Sequence, residues 1–287
     1  MDERAALRML SGALSHAGDD AAVVEDLLVT TDMLHETTDF PEGTTRYTAG
    51  WRAVGASLSD VAAMGGAATA AVAVYAAPAF EDEQLRKFVA GASEVCEAVD
   101  GAYVGGDLDT HEEFTVATTV VGRAADPVYR SGARPGEAVC VTGSLGRSAA
   151  ALELFHDGEY TRANDLFRFE PRVGAGRALA SHASSMMDSS DGLARSLHQL
   201  AEASDCGFAI ESGVVPVAGA LREVVEDPFE RGVFFGEDFE LVFTLPKTAV
   251  STVEGSSPTP ITVIGEVTEG GVEMDGNALA DRGYTHG

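Results

Sequence analysis

No regular element runs easily through "ADPVYRSGARPGEAV", residues 125–139. Pro127 and Pro135 lack a backbone N–H, and Gly132 and Gly136 are costly to fix in one conformation. This segment cuts the 287-residue chain near its middle, and strand-like and helix-like patterns restart on its far side. The expectation is two domains, 1–127 and 128–287, each of mixed α/β (α+β) character.

In the first half a helix is expected at about 2–14, and "AAVVEDLLVTTDML" reads as a strand or a hairpin pair. Residues 46–65 carry small and apolar residues at helical spacing and stop at Gly65-Gly66. "ATAAVAVYAA" is a strand, 81–99 an amphipathic helix, "AYVGGDLD" a strand entering a Gly-Gly-Asp turn, and "EFTVATTVVGRA" a long β-branched strand. The strand 113–123 and "ATAAVAVYAA" are too apolar to be left exposed as a sheet face, so pairing or packing across a two-fold axis is expected. The second half reads as a strand "AVCVTG", a helix "LGRSAAALELF", a helical stretch 162–182, a short strand "SSMMD" and a helix "SSDGLARSLHQLAEAS". The strands "GFAIE", "DFELVFTL", "ITVIGEV" and "GVEMDG" follow.

Asp and Glu number 46 against 19 Lys and Arg, for a net charge of −27, and only Lys87 and Lys247 are lysine. Such a field repels nucleic acid and anionic membranes. The acids are spread along the whole chain, as on salt-adapted proteins whose self-repulsion is screened by high ionic strength. No apolar run approaches the ~20 residues of a membrane span, and "MDERAALRML" lacks the apolar core of a secretory signal. Cys96, Cys140 and Cys206 are too scattered for a disulfide framework or a C-x-x-C metal site. A cytoplasmic protein is expected.

Against this acidic background, some aspartates stand out by their setting. Asp19 and Asp20 enter a strand, Asp32 and Asp107 end strands, and Asp188 ends one with Asp191 in the first turn of the next helix. Asp60 lies in an otherwise small and apolar helical stretch, "LSDVAAMG", where an unpaired acid is costly to bury. Small neighbours (Gly18, Thr30-Thr31, Gly105-Gly106, Ser189-Ser190) leave room for a charged ligand. Converging carboxylates need cations, and without a Cys/His cluster hard Mg²⁺ suits them better than zinc. Several Mg²⁺ ions point to phosphate chemistry. The P-loop and protein-kinase signatures are absent.

The motifs "GDDAAVV", "TTDML", "LSDVAAMG", "VGGDLD", "RSGARPGEAVCVTGSLGRSAA", "MDSSDGLARSL" and "GEDFELVFT" occur in this order from about residue 18 to 245. In order and spacing they resemble the thiamine-monophosphate kinases, of the aminoimidazole-ribonucleotide synthetase-like superfamily. The resemblance implies a two-domain fold with the N-terminal sheet pairing across a homodimer and a C-terminal α/β domain closing an ATP cleft. It also implies ATP-dependent phosphorylation of thiamine monophosphate with several Mg²⁺ ions. Carried over motif by motif, the metal ligands would be Asp20, Thr31, Asp32, Asp60, Asp107, Asp188 and Asp191, with Thr30 as a further candidate. Gly106, Asp107, Arg130 and Ser190 would contact ATP, and Glu237 and Tyr284 would lie near the thiamine moiety. Where the family often has a histidine in "G-x-H-F", this chain has "TTDF", which sets Asp39 toward the cationic thiazolium.

No catalytic base is expected. The acceptor phosphate, with a second pKa of about 6, is already ionised near pH 7, and the seven histidines lie outside these motifs. Direct in-line transfer follows. The alternatives are a ribonucleotide cyclo-ligase of the same superfamily, or a non-catalytic acidic module that binds metal or nucleotide.

Overall fold

The computed structural model describes residue 14 and residues 16–284. The helix expected at about 2–14 lies outside the described residues apart from Leu14. In the first half, β1 (Ala22–Val24), β2 (Leu27–His35), β3 (Ala67–Ala77), β4 (Ala102–Thr110) and β5 (Thr115–Arg123) form one sheet in the order β1-β2-β5-β3-β4. All neighbours are antiparallel except β3 and β4. A short helix α1 (Glu36–Asp39) follows β2, and α2 (Arg46–Ala63) and α3 (Asp82–Glu97) cover one face of the sheet.

The covered face alternates along the strands as the pleat requires, with Ala71, Ala73 and Tyr75 buried and Val72 and Val74 exposed. Helix α2 begins at Thr45, whose hydroxyl accepts the Thr48 N–H at 3.1 Å. It lies against α3 through two glycines. A Cβ on Gly50 would sit 2.2 Å from Phe88 O, and one on Gly91 2.0 Å from Tyr47 O, so no larger residue fits this crossing. On the open face Met33, Val72, Val74 and Val104 are all exposed, and this is the apolar face that the β-branched pattern anticipates.

β4 departs from expectation. Its pairing with β3 continues without a turn from Ala102 to Thr110, so Asp107 stands within the edge strand rather than at its end. Gly106 permits this, because a Cβ there would lie 1.7 Å from Ala73 O.

The second half builds a seven-stranded sheet from β6 (Ala138–Thr142), β7 (Ser185–Asp188), β8 (Gly207–Ile210), β9 (Leu241–Leu245), β10 (Ile261–Thr268), β11 (Val272–Met274) and β12 (Asn277–Ala278). Their order is β12-β11-β8-β10-β6-β9-β7. The helices are α4 (Arg147–His156), α5 (Tyr160–Phe167), α6 (Val173–Leu179), α7 (Leu193–Ser204), α8 (Gly219–Val224), α9 (Pro228–Phe234) and α10 (Val250–Ser256).

The helical stretch expected over 162–182 is therefore two helices. Pro171 cannot continue the first, and residues 168–171 are extended or irregular. Helix α7 starts only at Leu193, which leaves Ser189–Gly192 as a loop, and the strand expected from Asp238 starts at Leu241.

Helix α2 is buried nearly all round, from Thr48 to Ala63. Val54, Leu58 and Val61 belong to the first core, which also takes in Leu154, Phe155 and Phe167 from α4 and α5. Ala62 and Ala63 belong to a core with Cys140, Met186 and Phe243 of the second sheet. A helix apolar on every side must be central, and the polar residues it carries are held between the two halves.

Candidate active site

Asp20 precedes β1, Asp60 lies in the last turn of α2, and Asp188 ends β7. The fold brings one carboxylate oxygen from each within 4.8 Å of the other two. Asp188 is 2% exposed, and its Oδ2 has no hydrogen-bond partner among the described residues; nor has the neighbouring Ser189 Oγ. Burial, reinforced by Asp20, pushes the Asp188 carboxyl up to about 7. Burial and then the charges of Asp32, Asp188 and Asp20 push Asp60 well above the usual carboxylate range. Arg130 answers part of this charge, with Nη2 and Nε 2.8 and 3.3 Å from the two oxygens of Asp20. Asp19 turns to the backbone instead, accepting the Arg130 N–H at 2.7 Å. A buried acid group with an unpartnered oxygen, all donors hard oxygens, fits a divalent cation such as Mg²⁺.

β2 keeps its pairing with β5 as far as His35, so Asp32 stands within the strand rather than at its end. The strand sends alternate residues to opposite faces, and this separates two of the expected ligands. The Thr30 hydroxyl donates to Asp60, and Asp32 accepts from Ser57 Oγ at 2.5 Å, so both face α2. Thr31 faces the other way, its hydroxyl donating to Thr118 O at 2.7 Å, and its side chain does not join the cluster. Asp107 is also outside it. From β2, the strands β5 and β3 intervene before β4, a separation of roughly 14 Å at sheet spacing. Asp107 and Gly106 instead line a cleft of about 400 Å³ with Tyr75, Phe88 and Tyr103. Ser190 and Asp191 lie in the loop after β7, where the Ser190 N–H donates to Asp188 Oδ1 at 3.3 Å.

A second cavity, of about 220 Å³, is lined by Asp39, Phe40, Phe167, Phe235, Glu237 and Tyr284 among others. Asp39 is held by the His35 N–H at 2.7 Å. Tyr284 reaches the cavity because its N–H donates to Asp191 O at 3.0 Å, and its ring meets Phe235 edge-on, with centroids 5.9 Å apart. Burial first, then Glu237 and Asp39, raises the Tyr284 phenol above its ordinary value. Two acids among aromatic rings suit a flat organic cation. The cavity and the acid cluster are joined by the main chain, since Glu237 N–H donates to Ser190 O at 2.6 Å, two residues after Asp188.

The motif "GEDFEL" holds its acids in three directions. Glu237 pairs with Arg52 of α2 at 2.6 Å. Asp238 accepts the N–H groups of Gly146 and Ser148 at 2.5 and 2.9 Å, and burial pushes its carboxyl up to about 7. Glu240 takes both arms of Arg172 at 2.7 and 2.8 Å, and the Thr142 hydroxyl at 2.6 Å. Arg52 is the residue sequence reasoning missed. Its signal was available, for after Arg46 it is the one basic residue in the helical stretch 46–65 that also carries Asp60.

Residues 18–124 match the AIR synthase related protein N-terminal domain, and 134–275 the C-terminal domain. Thiamine-monophosphate kinase of Halobacterium salinarum is 64% identical, covering 100% of both chains. That of Methanospirillum hungatei is 39% identical over 100% of this chain and 99% of its own. The solved structure of AaThiL complexed with AMPPCP and TMP superposes with a TM-score of 0.90 at 32% identity, covering 99% of this chain and 97% of that one. With seven motifs in register, two matched domains and full-length relatives, this chain belongs to the thiamine-monophosphate kinase family of AIR synthase related proteins.

Proposed function

We propose that the chain transfers the terminal phosphate of ATP to thiamine monophosphate, giving thiamine diphosphate. The observation that supports this most directly is the union of a three-carboxylate cluster with a cavity for an organic cation through one backbone hydrogen bond. A ligand with a cationic ring and a phosphate group can occupy both.

Asp20, Asp60 and Asp188, with Asp32 and Thr30 beside them, would hold Mg²⁺. Bound there, Mg²⁺ supplies charge neutralisation between two phosphate anions and their alignment for in-line transfer. The protein's own residues do the positioning. Asp39, Glu237 and Tyr284 hold the thiazolium, the Ser189–Gly192 loop carries Ser190 and Asp191 toward the phosphates, and Arg130 and Gly106 take ATP. The acceptor oxygen is ionised near pH 7, so no side chain needs to accept a proton.

Asp107 suggests the assembly. It stands on an edge strand, paired with Val74 beside the exposed apolar face of Met33, Val72, Val74 and Val104, away from its own protomer's cluster. A homodimer through this face would cover the apolar side chains and present Asp107 and Gly106 to the partner's site. Light scattering at high salt should give twice 29.8 kDa, and Val72→Asp should yield a monomer that turns over at least tenfold more slowly. A fully active monomer excludes this arrangement.

The test of the reaction is ADP release from Mg²⁺-ATP, with and without thiamine monophosphate. Release should require the acceptor, stop in EDTA and return with excess Mg²⁺. Turnover in EDTA rejects the metal assignment. Binding of ATP with no acceptor-dependent release would favour a non-catalytic module.

A further inference from the structure

Arg52 sits in the middle of α2, 2% exposed, with its guanidinium 3.7 Å above the Phe167 ring. Nη1 donates to Phe167 O at 2.9 Å. Nη2 does something a merely structural arginine need not do, gripping one residue twice: Glu237 Oε2 at 2.6 Å and Glu237 O at 3.2 Å. That residue is conformationally strained. Glu237 has φ +61°, following Gly236 at +86°, and Phe239 has φ +55°. Non-glycine residues rarely adopt this region, and it persists where surrounding contacts enforce it. Here the contacts are Arg52 and the Ser148 hydroxyl on the carbonyl, and the Ser190 carbonyl on the N–H. Glu237 also lines the cavity with Asp39.

We propose that Arg52 is a positioning residue for the acceptor substrate: it fixes the Glu237 carboxylate in the cavity wall and offsets one of the two negative charges there. The proposal rests on the reading of Glu237 as a contact of the cationic ring. The balance of two carboxylates and one guanidinium leaves a net single negative charge, matched to one positive ring. Without Arg52, the carboxylate loses its fixed oxygen and the strained turn loses one of its three anchors. A lysine could keep the charge but not the planar fork that holds side chain and backbone together.

The experiment compares Arg52→Met, Arg52→Lys, Glu237→Gln and the double variant Arg52→Met/Glu237→Gln, by steady-state kinetics with thiamine monophosphate and ATP varied separately. Glu237→Gln and Arg52→Met should each raise KM for thiamine monophosphate about tenfold or more. The double variant should be no more than about twofold worse than the weaker single one, because both act through the same carboxylate. KM for ATP should stay within about twofold throughout, and Arg52→Lys should fall between parent and Arg52→Met. Multiplying effects in the double variant, or a parallel rise in KM for ATP, would reduce Arg52 to a structural role. An unchanged KM in Arg52→Met with a raised one in Glu237→Gln overturns the proposal alone. An unchanged KM in Glu237→Gln overturns the reading of Glu237 and the proposal with it. Should Arg52→Met not fold, Arg52→Lys is judged by the same comparison.

Discussion

Two groups of buried acids face each other across the Ser190–Glu237 hydrogen bond, and they solve the same problem differently. Asp238 and Glu240 are buried among donors of the protein itself: two N–H groups for one, the fork of Arg172 and a hydroxyl for the other. Asp20, Asp60 and Asp188 are packed together with Arg130 on Asp20, while Asp188 keeps an oxygen without a partner among the described residues. The first group is closed and holds the fold together. The second is left open, and on the proposed reading its missing positive charge comes from bound Mg²⁺. Burial alone does not separate a structural acid from a ligand; the donors around it do.

The most severe way to break this contrast is to neutralise an acid of the open group and to remove the cation from the closed one. Asp60→Asn should lower turnover by about 10²–10³-fold, the scale of losing one preorganised electrostatic group. In EDTA it should melt no lower than the parent, because a like charge has been removed; a large loss of stability with activity retained would reverse the assignment of the two groups. Arg172→Met should do the opposite. It leaves Glu240 buried without its cation, at a cost of about 3–5 kcal/mol in denaturant unfolding, while turnover per folded molecule changes by no more than a few fold. Unaltered stability would show that Glu240 needs no counter-charge.

The smallest effect is in pH. The folded-state pKa of Asp188, about 7, lies above the ordinary carboxylate value, so the metal-free fold keeps a proton that the unfolded chain releases. This contribution to stability is present at low pH and is lost as pH rises from about 4 through about 7. Mg²⁺ binding requires the ionised carboxylates and removes the penalty. The rise in melting temperature on adding Mg²⁺ should therefore be a few degrees larger at pH 8 than at pH 6. Equal rises at both values would mean that protonation and metal do not compete at this cluster.

The acids of the cluster were legible in the sequence because each breaks a local pattern: Asp60 interrupts an apolar helix, Asp20 and Asp188 sit among small residues at strand ends, and Asp32 follows two threonines within β2. The hairpin, the two mixed sheets and the exposed apolar face follow from periodicity and β-branching. Other features depend on tertiary contacts that periodicity does not record. Asp107 reads as a turn residue after two glycines, yet the partner strand continues beyond it and draws it into β4. Thr31 and Thr30 are equivalent in composition, and only the phase of the pleat sends one of them away from the cluster. "DFEL" has the look of a strand, but the contacts of Glu237 with Arg52 and Ser190 hold its start in a left-handed turn. Pro171 divides the stretch 162–182, although the residues on both sides of it favour helix.

Helix α2 carries Arg52 at one level and Asp60 two turns further on, packed on both sides so that neither level can slide. Eight residues at the rise of an α-helix are about 12 Å. The rod is a gauge for length. On the proposed reading it sets a fixed interval between the place that would hold the ring and the place that would meet the phosphate. Selection among small molecules then depends on reach as well as on charge: a compound with the right cation but too short a tether to its phosphate could satisfy one end of the gauge and would miss the other.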